Sequence, residues 1–147
     1  MKLVIDACVF AAEQIHDQTE HQTEHQTART LLQTLVQRKV QFYAPALVLA
    51  EVAAAVARAT QQSSLGEVGA LRVSHLPRLT FRHIDLPFAS AAARVAARHG
   101  IQGADSHYVA LARELRCPLI TNDEEILRRC PSTTVVLRPA TWLQHLA

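Results

Sequence analysis

The chain has 147 residues, 49% of them hydrophobic and 19% charged, with a formal net charge of +2 at pH 7. That length suits a single domain over residues 1–147, able to bury roughly two-thirds of its unfolded surface without staples. The charge balance excludes the strongly basic footprint of a dedicated nucleic-acid binder, and Cys8, Cys117 and Cys130 are too scattered for a zinc site or a disulfide framework.

In chain order, residues 2–6 (KLVID) are a short apolar run ending in an acid, and the small and apolar residues of ACVFAAEQI after it suit a helix. HDQTEHQTEHQT repeats a Glu-His-Gln-Thr unit and has no apolar face until Ala28, Leu31, Leu32, Leu35 and Val36, so a polar helix extension or a loop is expected there. QFYAP at 41–45 reads as a strand closed by Pro45, followed by an alanine-rich helix over 46–62 and a further helix over 65–76. TFRHIDL at 80–86 is strand-like. Pro87 opens a helix that runs to His99, with Gly100 as its stop.

After a short connection, DSHYVALARELR places Tyr108, Val109, Ala112 and Leu115 on one helical face. CPLIT at 117–121 is an apolar strand, DEEILRRC a helix, TTVVL at 133–137 a last strand, and PATWLQHL a closing helix started by Pro139. Strands that alternate with helices, several of them apolar throughout, predict an α/β fold with a mostly parallel central sheet covered on both faces. No linker marks a second domain.

Four acids sit where elements begin or are interrupted: Asp6, Glu51, Asp105 and Asp123. In open parallel sheets, ligands bind beyond the carboxyl ends of the strands. Asp6 ends KLVID and Asp123 follows CPLIT, so both face one crevice if those strands are neighbours. Each acid taken singly also has a structural explanation. Asp6 and Asp105 precede helices and suit N-caps, and near Asp123 the cap can be Thr121 or Asn122, with Glu124 or Glu125 completing a capping box.

Glu51 carries more weight, because every other residue between Tyr43 and Arg58 is apolar, a composition that predicts a largely buried helix. An unpaired ionised carboxylate there costs several kcal/mol, so it must be protonated, paired or bound to a cation. Arg58 is two turns away, too far for a direct pair; a solvent-facing Glu51 is the structural alternative. Acids gathered from such distances call for a hard divalent cation, Mg2+ or Mn2+, and the fitting reaction is phosphodiester hydrolysis.

LVIDACVF, LVLAEVAAAVAR, GADSHYVALARELRCPLITND and the closing strand and helix resemble a PIN-domain ribonuclease, specifically a VapC-type toxin of a type II toxin–antitoxin pair. The likeness spans nearly the whole chain, and the ordered acids carry its specificity. It implies a three-layer α/β/α sandwich and an Mg2+- or Mn2+-dependent endoribonuclease acting on an RNA substrate. A homodimer and a cognate antitoxin as partner are implied as well. Asp6, Glu51, Asp105 and Asp123 would form the catalytic metal cluster, supported by Thr121 and Asn122. Cys8 departs from the pattern, since a small polar residue such as serine or threonine is usual two positions after the first aspartate, and a thiol is the poorer hydrogen-bond partner.

A PIN-like module that binds RNA or a protein without cutting is the alternative. A haloacid-dehalogenase-like phosphatase needs a second aspartate where Cys8 stands, and a phosphoacceptor receiver domain needs a lysine near its last strand, whereas Lys2 and Lys39 are the only lysines. Thirteen of the fifteen basic residues are arginine, a weak pointer to phosphate. Arg58, Arg128 and Arg129 are candidate phosphate contacts, His107 lies close in sequence to Asp105, and His21 and His25 are one turn apart, as a transition-metal pair would be. With no apolar run approaching ~18 uncharged residues and no basic leader, a cytoplasmic protein without a membrane partner is expected.

Overall fold

Leu3, Val4 and Ile5 are fully buried because β1 (Lys2–Ile5) has a strand on each side and helices over both faces. The structure, a computed structural model, describes residues 1–16 and 22–146. β1 is followed by α1 (Ala7–Gln14), α2 (Gln22–Gln37), β2 (Gln41–Pro45), α3 (Val48–Thr60), α4 (Ser63–Ser74) and β3 (Leu79–Arg82). Then come α5 (Leu86–His99), α6 (Gly103–Leu115), β4 (Leu119–Ile120), α7 (Glu124–Arg129), β5 (Val136–Leu137) and α8 (Pro139–Gln144).

The strands form one sheet in the order β3-β2-β1-β4-β5, every adjacent pair parallel. Right-handed crossovers place α1 to α4, which lead from β1 through β2 to β3, on one face of that sheet. The chain then reverses direction across the sheet, so α5 and α6, leading from β3 to β4, fall on the other face. Packing agrees: α6 lies against β1, β2 and β4 with α5 behind it, while α1 packs on α2 and α3, and α3 on α4. The architecture is the three-layer sandwich expected. Its core joins Phe10 of α1, Leu31 and Leu35 of α2, Phe42 of β2 and Tyr108 and Leu111 of α6, all at most 1% exposed. Each such side chain contributes on the order of 1.5–3 kcal/mol by leaving water.

Several boundaries differ from the sequence expectation. The strand expected over 80–86 stops at Arg82, because the Asp85 side chain accepts a hydrogen bond from Phe88 N and caps α5 one residue before Leu86. The two C-terminal strands are two residues each, and the second expected helix starts earlier, at Ser63. Gly100 does end α5, in the left-handed region at φ 63°. Gly66 lets α4 pack closely on α3, since a Cβ there would collide with the Ala53 carbonyl.

The polar repeat is helical from Gln22 onward, and it does contribute to the interior. His25 is 7% exposed, with Nδ1 2.9 Å from Ala12 O and its ring against His16. His21 lies outside the described residues, so the two-histidine pair does too; His25 itself has a packing role. Among the described residues no helix is long and apolar enough to cross a membrane.

Candidate functional site

β1 and β4 are adjacent, with Val4 opposite Leu119 and Ile5 opposite Ile120. Asp6 therefore leaves the sheet beside the segment Thr121-Asn122-Asp123, and Asp6 N donates to Ile120 O at 3.0 Å. From β1 the chain turns toward β2, and from β4 toward β5 on the other side. This is the reversal of strand order at which a crevice opens beyond the carboxyl ends. Glu51 enters from the first turn of α3 and Asp105 from the first turn of α6. All four carboxylates line one cleft of about 430 Å³, together with Arg58 and the exposed Ala50 and Ala54. A roomier cleft of about 650 Å³ near Arg29, Leu32 and Arg72 has Glu13 as its sole acid, so size does not locate the chemistry and acid convergence does.

The capping alternatives resolve differently for each acid. Asp6 occupies the N-cap position of α1, but its side chain makes no capping hydrogen bond. Instead Oδ2 accepts from Thr121 Oγ1 at 2.6 Å and from Cys8 Sγ at 3.1 Å. Asp105 is not a cap, because Gln102 holds that position, and among the described residues it has no hydrogen-bonded or ion-paired partner for its carboxylate. Asp123, rather than Thr121 or Asn122, caps α7 by accepting from Ile126 N at 2.8 Å. One oxygen of Asp123 is thus structural while its side chain still borders the cleft.

Glu51 is half-buried, and Tyr108 Oη donates to its Oε2 at 2.5 Å. The helix around it is less buried than its composition suggested. Val48, Val52 and Val56 form its buried stripe, while Ala50 and Ala54 face the open cleft, where alanine costs little to expose. Thr121 ties the site together: its Oγ1 donates to Asp6 and accepts from Asp123 N at 2.9 Å. Asn122 contributes its backbone N–H, which donates to Cys8 Sγ at 3.4 Å. Cys8 thus takes the place expected of a small polar residue, with a weak S–H donor pointed at the carboxylate it would support.

Burial raises the Asp6 carboxyl above its ordinary value, opposed by the hydrogen bonds from Thr121 and Cys8, with the Asp123 charge adding to the rise. Glu51 is raised by burial too, opposed by the Tyr108 hydrogen bond and pushed further up by Asp6. Asp105 is pushed up to about 7, first by burial and then by the charges of Asp6, Asp123, Glu51 and Glu125. Those charges act on one another through the cleft, which is the electrostatic signature of a site short of positive charge.

Four carboxylates are a hard-oxygen donor set, and that set fits Mg2+ or Mn2+ better than a soft metal. Among the described residues no three His, Cys, Asp or Glu side chains are arranged as a closed metal-holding group. Asp6, Glu51 and Asp123 each accept a hydrogen bond from the protein, and among the described residues Asp105 accepts none.

Tyr108 is the residue that sequence reasoning placed only in the core. Its spacing of three from Asp105 puts both on the same side of α6, and that signal could have linked it to the site. Glu125 also acts on Asp105, though it pairs with Arg129 at 3.3 Å. Arg129 further donates to Gly100 O, and neither Arg128 nor Arg129 lines the acidic cleft; Arg58 does. His107 has Nδ1 2.7 Å from Gly103 O and its ring edge-on to Phe88, a helix-packing position.

A parallel sheet that reverses at β1/β4, with acids from four separate segments at that reversal, defines a class, and the PIN domain family matches residues 3–130. The chain belongs to that family. Among solved structures it is similar to VapBC2 from Rickettsia felis bound to a promoter DNA fragment, at 14% identity and TM-score 0.65, covering 94% of this chain and 98% of that one. It is also similar to Mycobacterium tuberculosis VapC20, described as a sarcin–ricin loop cleaving toxin, at 17% identity and TM-score 0.65, covering 83% and 90%. A toxin–antitoxin complex from Klebsiella pneumoniae aligns at 16% identity and TM-score 0.63, covering 93% and 97%. At such identities the likeness establishes the fold. Comparison with curated proteins finds no significant match.

Proposed function

We propose that this protein is a divalent-metal-dependent endoribonuclease, the toxin of a VapC-type toxin–antitoxin pair. The observation that carries the reading is the convergence of Asp6, Glu51, Asp105 and Asp123 on one cleft at the carboxyl ends of β1 and β4. Those four side chains would hold Mg2+ or Mn2+, which when bound supplies an activated water and neutralises charge developing on the phosphoryl oxygens. The chain's own residues set the stage for hydrolysis. Thr121 and Cys8 fix Asp6, Tyr108 fixes Glu51, and the cap of α7 fixes Asp123, leaving Asp105 as the member without a hydrogen-bond donor among the described residues. In the reaction a water oxygen bonds to phosphorus, one P–O ester bond breaks, and the departing oxygen leaves as a hydroxyl.

Support for RNA as substrate comes from family membership and from the sarcin–ricin loop cleavage named for the mycobacterial relative. Support for a cognate antitoxin comes from the relatives solved as toxin–antitoxin assemblies, and a homodimer and a cytoplasmic location belong to the same reading. One rival is a PIN-like module that binds without cutting. The purified protein is expected to cleave RNA with Mn2+, and to stop on adding EDTA or on Asp105→Asn. Cleavage that persists through both would overturn the mechanism, and Mn2+-independent RNA binding without cleavage would favour the rival.

A further inference from the structure

The acidic cleft has to accept a polyanion, and a bound divalent cation offsets charge only at the point of reaction. Arg58 is the one basic side chain among the residues that line it. It is exposed, and it makes no ion pair or side-chain hydrogen bond among the described residues, unlike Arg82, Arg129 and Arg138, which are each held by a carboxylate. Its guanidinium is therefore available.

Position narrows what it can bind. Arg58 follows Glu51 by seven residues on α3, which returns it to the same helix face roughly 10.5 Å further along the axis. Arg58 therefore enters the cleft from the far end of its α3 wall. Between Glu51 and Arg58 that wall is Ala54 and Ala55, short side chains that leave room for a chain to lie along the helix. A planar fork suits two phosphate oxygens, which a lysine at this place would engage only as a point charge.

We propose that Arg58 is a substrate-binding residue that grips a backbone phosphate flanking the scissile one, so that single-stranded RNA runs along the α3 face from the carboxylates toward Arg58. The inference rests on the ribonuclease reading and adds a direction for the strand and a second contact point. Arg58 contributes to RNA affinity and positioning and leaves metal binding alone.

Binding of a fluorescently labelled single-stranded RNA is measured by anisotropy in EDTA across a salt series, with Mn2+ affinity measured separately by calorimetry. Arg58→Ala is expected to weaken RNA binding about 5- to 10-fold and to lower the magnitude of the log–log salt slope by about 0.7, the loss of one phosphate contact on a single strand. Arg58→Lys is expected to keep the slope and recover part of the affinity, and Mn2+ affinity should be unchanged in both. Arg94→Ala, an exposed α5 arginine that does not line the cleft, controls for general loss of charge and should leave the slope intact. Equal affinity and slope in wild type and Arg58→Ala would overturn the inference even if Mn2+-dependent cleavage stands, as would an equal loss in Arg94→Ala. Wild type that binds no RNA in EDTA would overturn the inference and leave the metal-dependent nuclease reading standing; slope loss without any cleavage would uphold the contact and reject the nuclease.

Discussion

Tyr108 Oη donates to Glu51 Oε2 at 2.5 Å, joining α6 on one face of the sheet to α3 on the other and holding a carboxylate that lines the acidic cleft. Tyr108 is fully buried, and among the described residues Glu51 is the one hydrogen-bond partner of its hydroxyl. The contact opposes the rise that burial imposes on Glu51. Tyr108→Phe keeps the ring packing and removes only this bond. Mn2+ affinity by calorimetry is expected to fall about tenfold, in line with other residues that orient a metal ligand. Unfolding stability in urea should fall by about 1 kcal/mol.

Asp105 determines how the metal-free protein responds to pH. Its folded value of about 7 lies above the ordinary 3.8, so between those values the folded state holds a proton that the unfolded chain has released. Stability rises with pH only where the unfolded state binds more protons, and here it binds fewer. The stabilisation linked to Asp105 is complete below about 3.8 and lost as pH rises through about 7, and Asp6 and Glu51, also raised, act in the same direction. In EDTA the melting temperature should fall by a few degrees between pH 5 and 8. With saturating Mn2+ the fall should shrink or reverse, since metal binding requires the deprotonated acids. A melting temperature in EDTA that climbs over that interval would contradict the electrostatic account.

Thr121 is fully buried and serves two acids at once, donating to Asp6 and accepting from Asp123 N. Thr121→Val preserves shape and deletes both bonds, leaving a buried carboxylate with the Cys8 thiol as its one side-chain donor among the described residues. The expected cost is about 2–3 kcal/mol in urea unfolding, the range for hydrogen bonds to a charged group. Thr121→Ser, which keeps the hydroxyl, should lose less than half of that.

Cys8→Ser tests the residue that departs from the family pattern. A hydroxyl donates more strongly than a thiol to Asp6 Oδ2 and can still accept from Asn122 N. Mn2+-dependent RNA cleavage is expected to hold or rise up to about threefold, and stability to stay within ~1 kcal/mol. Loss of cleavage with normal folding would show that the sulfur has a role the hydrogen bonds do not explain.

Much of this was legible in the residues. Apolar LVI and the regular alternation of strands with helices pointed to a parallel sheet, since strands covered on both faces are the ones that can be so uniformly apolar. A common crevice for Asp6 and Asp123 depended on β1 and β4 being neighbours, a condition the residues left open and the register meets. Where reading failed, short-range competition was the cause. Asp85 cut short an apparent strand by capping α5, and Asp123 took a cap that the residues left open to Thr121 or Asn122. His25 entered the interior from a repeat that looked wholly polar, because its partner, the Ala12 carbonyl, is on a different helix and sequence periodicity carries no trace of it. Tyr108 was hidden for the same reason: Glu51 is 57 residues away, and only the fold reveals the bond.

The central claim is that acids from four distant segments act as one cation site. Calorimetric titration of Mn2+ into the wild type and into Asp6→Asn, Glu51→Gln, Asp105→Asn and Asp123→Asn tests it most directly. Saturable binding to wild type, weakened at least about tenfold by Asp6→Asn and Asp105→Asn and measurably by the other two, is the predicted result. Absence of saturable binding to the folded wild type, or equal affinity in all five proteins, would contradict it.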